Sequence, residues 1–587
     1  MKRILAGLLA AALAPLDAPA AEPLSKVARS VEVSITNVDV VVTDAKGRPV
    51  TDLTPLDFVV MQEGKAQAIS NFSFVRNTNA PAVPAAETAP SGPSPAASPA
   101  PAPPGPAGAR LVVFLDFLHM TAPNRNRAVA SLAEFLPRTL GPRVEVQIVS
   151  WDRALRPRGA FTNDGKVISA VLEALKGESA LGDAPAREKS RLFAMIDSAL
   201  NADARTRGPL VDQAISTLRG WCDSQAHDVD ATLDAARSTA ASLSGVEGRK
   251  ILILVTEKLP PSPGRELWEY FQRGFDRVSR GPKLGNANNS MTEMTWKDFD
   301  RSASFQRLAT AANGAGVSLF VVDASGLTGD TMLSAEFAGT GDSVNEGLAT
   351  LDAESALHLL AEETGGAAIV GRNNLALALE SLEPAWTSYY SLGFESSTSK
   401  PGVPRSIRVS VKRPGVRVLT RRNVIERTAE QKVADAVLSG VHFPKTLNPL
   451  QASLHIGTPK KSGSMWLVPL EFSIPLEKLT FVPQGGRARG AVLFTAVAAG
   501  ADGRISPVMT ERAPLDIPEA DLGSLAGKHF TYSATLKVRG GASDLLHRPD
   551  GRDLAPDELR PAARPHRRRE VQGALNLSSP RGDASPT

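Results

Sequence analysis

The stretch RLVVFLDFLHMT, residues 110–121, decides the fold of this chain. Its apolar residues Val112 to Leu115 form a continuous run, typical of a strand that is buried on both faces of a sheet, and the run ends on Asp116. In open α/β sheets, ligands bind outside the carboxyl ends of the strands. We therefore expect Asp116 either to hold a metal ion or to cap the following helix.

Composition limits the classes of protein that this chain can belong to. With 587 residues it is longer than one ordinary domain. Hydrophobic residues make up 42% of the chain and charged residues 22%, so most of the chain can build packed cores. A net charge of only +4, from 66 basic and 62 acidic residues, argues against a nucleic-acid partner. The single cysteine, Cys222, excludes an internal disulfide and a zinc site made of several thiolates.

The first residues resemble an export signal. Lys2 and Arg3 precede a short apolar region at residues 4–16, and Ala18 and Ala20 offer small residues for cleavage. A frayed N-terminal helix is the alternative. We predict a signal peptide at residues 1–21, no transmembrane span in the mature protein, and a location in the periplasm or outside the cell.

From Leu111 onwards, strand and helix patterns alternate. Continuous apolar strands are expected at residues 111–116, 144–151, 248–260 and 316–326. Alternation with helices predicts an α/β domain over residues 110–425, with helices on both faces of a mostly parallel sheet.

Other patterns flank this domain. Residues 31–75 alternate apolar and polar positions and predict a small β module. Residues 77–109 are almost entirely Pro, Ala, Ser and Gly, and predict a semi-stiff linker. Residues 440–540 return to β patterning and predict a β-sandwich. Residues 541–587 have little periodicity, and predict a disordered tail or a shifted reading frame.

The order of motifs resembles that of bacterial von Willebrand factor A-related proteins, of the kind found in acidobacteria. The resemblance covers about residues 31–425. The motifs that carry it, in order, are VVVTDAKGRPVTDLTPLDFVV, GRKILILVTEKLP, VSLFVVDASGL, LAEETGGAAIVGRNNL and YYSLGF with SIRVSVKRPGVRV. It implies a von Willebrand A domain with a Rossmann-like sheet, which is typically a module for protein binding or adhesion and not an enzyme.

Domains of that family often carry a metal-ion-dependent adhesion site, in which oxygen ligands hold magnesium and one position stays open for a partner's carboxylate. Asp116 matches the first aspartate of its Asp-x-Ser-x-Ser motif. Leu118 and Met120 stand at the two serine positions and cannot ligate a hard cation. Thr121 is one residue out of register, and Glu257 stands where a later aspartate would be. The resemblance thus implies a degenerate site with the ligands Asp116, Thr121 and Glu257, and weak or no magnesium binding.

The predicted function is an exported protein-interaction or adhesion module with a protein partner at the cell envelope and no other cofactor. A structural envelope component without ligand binding is the alternative. A hydrolase is a minor alternative, because Asp152, Asp164, Asp323 and His358 lie near expected strand ends or helices without any hydrolase motif. The lone His119 is interpreted as an ordinary loop residue. If Glu257 does not ligate a metal ion, it is interpreted as a solvated loop acid.

Overall fold

A computed structural model gives the fold of the chain. It describes residues 35–77, 108–279, 296–326, 343–396, 401–443, 448, 450–498 and 505–539. The predicted signal peptide, the predicted tail and nearly all of the predicted linker lie outside these ranges. No helix within the described ranges combines the length and the apolar character that crossing a membrane requires.

The chain enters the described structure through four antiparallel strands. They are β1 (Ile35–Asp44), β2 (Phe58–Gln62), β3 (Lys65–Gln67) and β4 (Ile69–Arg76). The turn after β1 closes because Asp44 Oδ1 accepts hydrogen bonds from the backbone N–H of Lys46 at 2.8 Å and of Arg48 at 2.9 Å. Gly47 has a φ of 78°, which a residue without a side chain adopts at little cost.

The α/β unit follows. Its strands are β5 (Ala109–Asp116), β6 (Val144–Trp151), β7 (Leu155–Pro157), β8 (Arg249–Thr256), β9 (Val317–Asp323) and β10 (Ala368–Ile369). Its helices are α1 (Ala122–Thr139), α2 (Gly165–Leu175), α3 (Asp183–Asn201), α4 (Arg207–Ser242), α5 (Arg265–Ser279), α6 (Ser302–Ala315), α7 (Ser343–Glu363), α8 (Leu375–Glu380) and α9 (Pro384–Thr387). The sheet order is β10-β9-β8-β5-β6-β7, and all of its pairs are parallel except β6 with β7.

Helices cover both faces of this sheet, so the predicted α/β fold class is confirmed. Leu111 and Val113 of β5 point into one core, which they share with side chains of α1. Val112 and Phe114 point into a second core with side chains of α4 and α6. Burial on both sides explains why the run in β5 is continuously apolar and does not alternate.

The sheet has a topological switch point between β5 and β8. The chain leaves β5 for β6 on one side and returns to β8 on the other side. The connections therefore diverge at the carboxyl ends of these two strands, where Asp116 and Thr256 lie. A crevice at this position is the usual ligand site of open α/β sheets.

The strands after the α/β unit do not belong to it. They are β11 (Ser388–Glu395), β12 (Pro404–Val411), β13 (Val416–Leu419) and β14 (Asn423–Ile425). They pair with the N-terminal strands in two sheets, ordered β13-β1-β11-β4 and β14-β12-β2-β3, with Val38, Phe58, Tyr390 and Phe394 packed in a common core. This pairing differs from the predicted separate module at residues 31–75 and from the predicted α/β boundary at 425. The two segments complete one sandwich, and the α/β unit is inserted between them.

This N-terminal sandwich also shares a core with the α/β unit. Val41, Val75 and Tyr389 on its outer face pack into the cluster that contains Trp386 and the side chains of β5. Arg249, at the start of β8, donates a hydrogen bond to the carbonyl oxygen of Ala385 and lies over the ring of Tyr389. The two units are therefore joined by packed side chains as well as by the chain.

A helix and a second sandwich complete the described chain. They are α10 (Ala429–His442), β15 (Ser453–Ile456), β16 (Lys460–Ser462), β17 (Met465–Pro475), β18 (Val482–Gln484), β19 (Arg487–Ala496), β20 (Met509–Pro518) and β21 (His529–Arg539). Phe472 of β17 and Phe494 of β19 pack between two antiparallel sheets, with their ring centroids 5.0 Å apart. The predicted C-terminal β-sandwich is confirmed. Short 3-10 helices lie at Pro55–Asp57, Trp296–Phe299, Leu476–Lys478 and Glu519–Ser524.

Candidate functional site at the switch point

The carboxylate of Asp116 is completely buried and accepts four hydrogen bonds. Its Oδ1 accepts from the backbone N–H of Leu118 at 3.2 Å and of His119 at 3.3 Å. Its Oδ2 accepts from the hydroxyl of Thr256 at 2.7 Å and from the ring Nδ1 of His119 at 2.8 Å. Both oxygens are thus engaged by donors of the chain itself.

The imidazole of His119 is nearly as buried, since only 10% of its side chain is exposed. Burial lowers the pKa of His119, but the charge of Asp116 and the hydrogen bond to it outweigh that effect, and the net pKa is raised. Asp228 also raises it, whereas Arg153 lowers it. The structure therefore ties the His119 ring to Asp116, and the interpretation of His119 as an ordinary loop residue is wrong.

A second layer of polar side chains surrounds the His119 ring. Thr232 of α4 places its hydroxyl 3.4 Å from Nδ1 and accepts a hydrogen bond from Trp151 Nε1 at 2.9 Å. Asp228, one turn earlier on α4, forms a two-pronged ion pair with Arg153, with bonds of 3.0 and 3.1 Å from Nη2. Nε2 of His119 is buried and lacks a hydrogen-bond partner among the described residues.

Thr121 and Glu257 form a separate network beside this one. Glu257 Oε2 accepts from the backbone N–H of Thr121 at 2.8 Å and from its hydroxyl at 2.9 Å. Thr121 is the N-cap of α1, so the carboxylate lies at the positive end of that helix. Glu257 is only 8% exposed, and the interpretation as a solvated loop acid is therefore wrong. The structure brings these two predicted ligands together and gives them a capping role.

Residues at the two serine positions turn into the protein. Leu118 is buried, and Met120 is part of the apolar core under α1. Within the described ranges there is no group of three or more His, Cys, Asp or Glu side chains that could hold a metal ion. Because both oxygens of Asp116 already accept hydrogen bonds and the side chains at the two serine positions are apolar, this set of donors does not fit a magnesium site.

The segment before α3 lies against the loop between β5 and α1. The backbone N–H of Leu181 donates to the carbonyl of Phe117 at 2.9 Å, and that of Gly182 donates to the carbonyl of Met120 at 3.1 Å. A Cβ at Gly182 would lie 2.2 Å from the carbonyl oxygen of His119, so this close approach requires glycine. Sequence patterns did not predict this contact, because it joins two loops that are far apart in the sequence.

Among the described residues, no hydrogen bond links the residues considered for a hydrolase to one another. The three carboxylates are bound by near neighbours in sequence: Asp152 by Arg156 at 3.1 Å, Asp164 by the N–H of Lys166 at 2.8 Å, and Asp323 by the hydroxyl of Ser325 at 2.7 Å. His358 is exposed on α7. Each of these carboxylates serves a turn or a helix cap.

Comparison with known proteins finds similarity in structure alone. No protein-family model and no curated protein match the chain. Among solved structures, it is similar to the vWF domain of the type V pili tip protein Mfa5 from Porphyromonas gingivalis, with a TM-score of 0.25 and 13% identity over 48% of this chain and 95% of that chain. It is also similar to a von Willebrand factor type A structure from Catenulispora acidiphila, with a TM-score of 0.22 and 12% identity over 57% of this chain and 72% of that chain.

Proposed function

We propose that this protein is an exported protein-interaction module of the von Willebrand A type, and that it binds a protein partner at the cell envelope without a divalent cation. The ordered sequence motifs support the type of domain, and the doubly wound sheet with its switch point at Asp116 is consistent with it. One observation carries the cation-independent part of the proposal: the buried Asp116 carboxylate already accepts four hydrogen bonds from the chain.

Magnesium would compete at Asp116 with the hydrogen-bond donors that are already present. A magnesium ion would have to displace the Thr256 hydroxyl and the His119 ring from Asp116, and then share the buried space with that ring. Magnesium gives up its water ligands reluctantly and takes oxygen ligands in an octahedron, which Leu118 and Met120 cannot supply. The degenerate adhesion site therefore works as a structural network in this proposal.

Export is part of the proposal. It rests on the signal-like residues 1–21, with a positive start, a short apolar region and small residues at the expected cleavage position. A mature chain beginning near Ala21 or Glu22 would place the module in the periplasm or outside the cell.

The proposal is tested by partner capture. The mature chain, immobilised through a C-terminal tag, is incubated with a crosslinked envelope extract in millimolar magnesium and, in parallel, in a chelator. We expect the same envelope protein to be retained in both conditions and to bind the purified chain in a second, direct measurement. Release of the partner by the chelator, with recovery on adding magnesium, would refute the cation-independent mechanism. Failure to retain any protein in either condition would refute the interaction function and favour the structural alternative.

A further inference from the structure

A polar cleft of about 490 Å³ opens at the end of the α/β sheet opposite the switch point. One wall is the outer face of the N-terminal sandwich, where Asp39, Ser73 and Ser391 lie side by side on β1, β4 and β11. The other wall contains Lys250 at the start of β8 and Arg421. The cleft therefore lies between the two units that share a core, at a position where ligand sites are common.

Two carboxylates, Asp39 and Glu247, and two cationic side chains, Lys250 and Arg421, line the cleft, and a third cation, Arg249, is buried behind its wall. Asp39 Oδ2 is 3.4 Å from the Nη1 of Arg249, a fully buried guanidinium behind the wall. Glu247 is exposed at the rim, where water screens its charge. Arg421 is half-buried and has no carboxylate within ion-pair distance among the described residues. Asp39 is thus paired with Arg249 and also attracts Arg421 from beyond ion-pair distance, so one carboxylate serves two arginines.

Two cationic groups converge in this space. Arg421 Nη1 and Lys250 Nζ lie 3.4 and 3.5 Å from the position that a Cβ of Gly316 would occupy. Gly316 is the left-handed C-cap of α6, so the carbonyl end of that helix supplies partial negative charge only. Burial lowers the pKa of Arg421, and although Asp39 counteracts this, the nearby Arg249 lowers it as well. An additional anion would offset this cost of holding two guanidiniums close together.

We infer that the cleft binds a small organic monocarboxylate, with its carboxylate between Arg421 and Lys250 and its polar body along Ser73 and Ser391. A single negative charge suits the site because Asp39 and Glu247 would repel a more highly charged phosphate. Tyr389 also lines the cleft, and burial together with Asp39 raises its pKa to about 12, so its phenol stays available as a donor. This inference is independent of the proposed envelope partner.

Titration calorimetry in a carboxylate-free buffer tests the inference. The probes are galacturonate, its neutral counterpart galactose, and inorganic phosphate. We expect saturable binding of galacturonate, weaker binding of phosphate, and none of galactose. Binding of galactose as tight as that of galacturonate, tighter binding of phosphate, or no binding of galacturonate would each overturn the inference.

Variants assign the binding to the cleft. Arg421→Gln should weaken galacturonate binding at least about tenfold, the scale of one lost charge-assisted hydrogen bond. Arg422→Gln is the matched control, since Arg422 is exposed, pairs with Glu362 at 2.7 Å, and should leave binding unchanged. If Arg421→Gln fails to fold, Lys250→Gln is the second variant and should weaken binding likewise. Unchanged affinity in the folded cleft variants would overturn the inference.

Discussion

His119 Nδ1 lies 2.8 Å from Asp116 Oδ2 at the carboxyl end of β5, and this contact engages the switch-point carboxylate with a side chain of the chain itself. Thr256 donates to the same oxygen from the end of β8, so the network also ties the two strands of the switch point together. A cation site and a full set of hydrogen bonds are alternative ways to satisfy a buried carboxylate. In the described structure, Asp116 accepts four hydrogen bonds from the chain.

Magnesium should not stabilise the protein. A ligand that binds only the folded state raises the melting temperature by mass action, and no such rise is expected if Asp116 holds no metal. The melting temperature of the wild-type chain should be the same in millimolar magnesium and in chelator, as measured by scanning calorimetry. A magnesium-dependent increase that disappears in Asp116→Ala would contradict this prediction.

Loss of the Asp116 carboxylate should destabilise the folded protein for a reason unrelated to metal binding. Asp116→Ala leaves the His119 ring and the Thr256 hydroxyl buried without their acceptor, and we expect it to lower the free energy of unfolding by about 3 kcal/mol. Denaturant titration measures the change. Asp323→Ala is the matched control, because Asp323 is also buried at the end of a strand but accepts hydrogen bonds from Ser325 alone among the described residues. An equal cost for both variants would show that the His119 contact adds nothing.

Stability should depend on pH through His119. Its pKa is raised in the folded state, where burial opposes protonation but Asp116 and Asp228 favour it more strongly, against a smaller opposing effect of Arg153. The contribution of His119 to the free energy of unfolding is fully present below the pKa of about 6.5 that histidine has in the unfolded chain. It is lost as the pH rises through the higher pKa of the folded state. The difference in unfolding free energy between wild type and His119→Gln should therefore shrink as the pH rises above about 6.5. His358→Gln, at an exposed histidine, should show no such trend. A difference that is constant with pH would contradict the prediction.

Local sequence patterns predicted the sheet, but not the contacts between distant segments. The apolar run in β5 and its terminal Asp116 are readable from neighbouring residues, and so is the alternation of strand and helix. By contrast, β1 pairs with β11, which follows the whole α/β unit in the sequence. An alternating pattern in a strand does not specify which other strand it pairs with. The role of His119 depends on Thr256 and Asp228, which lie far away in sequence. A histidine three residues after the strand-end aspartate was the one available signal.

Thr121 and Glu257 should be energetically coupled. Thr121→Val removes the hydroxyl bond to Glu257 but keeps the backbone bond, and Glu257→Ala removes both. A double-mutant cycle should give a coupling energy of about 1 kcal/mol, the usual net value of one hydrogen bond. Thr54→Val, which removes a comparable 2.8 Å hydroxyl bond to Asp57 elsewhere, should be additive with Glu257→Ala. Additivity of the Thr121 and Glu257 variants would mean that the capping network is not formed in solution.

Cleavage of the predicted linker should nick the protein without separating its parts. Elastase, which cuts after alanine, is expected to cleave within residues 78–107 because of their composition. The strands before the nick, β1 and β4, remain hydrogen-bonded to β11, and Val41 and Val75 remain packed in the core of the α/β unit. The two fragments should therefore appear separately on a denaturing gel but co-elute in native size-exclusion chromatography. Val75→Asp, which puts a charge into the shared core, should promote their separation. Elution of an isolated N-terminal fragment from the nicked wild type would show instead that residues 31–75 are an independent module on a tether, as the sequence pattern alone suggests.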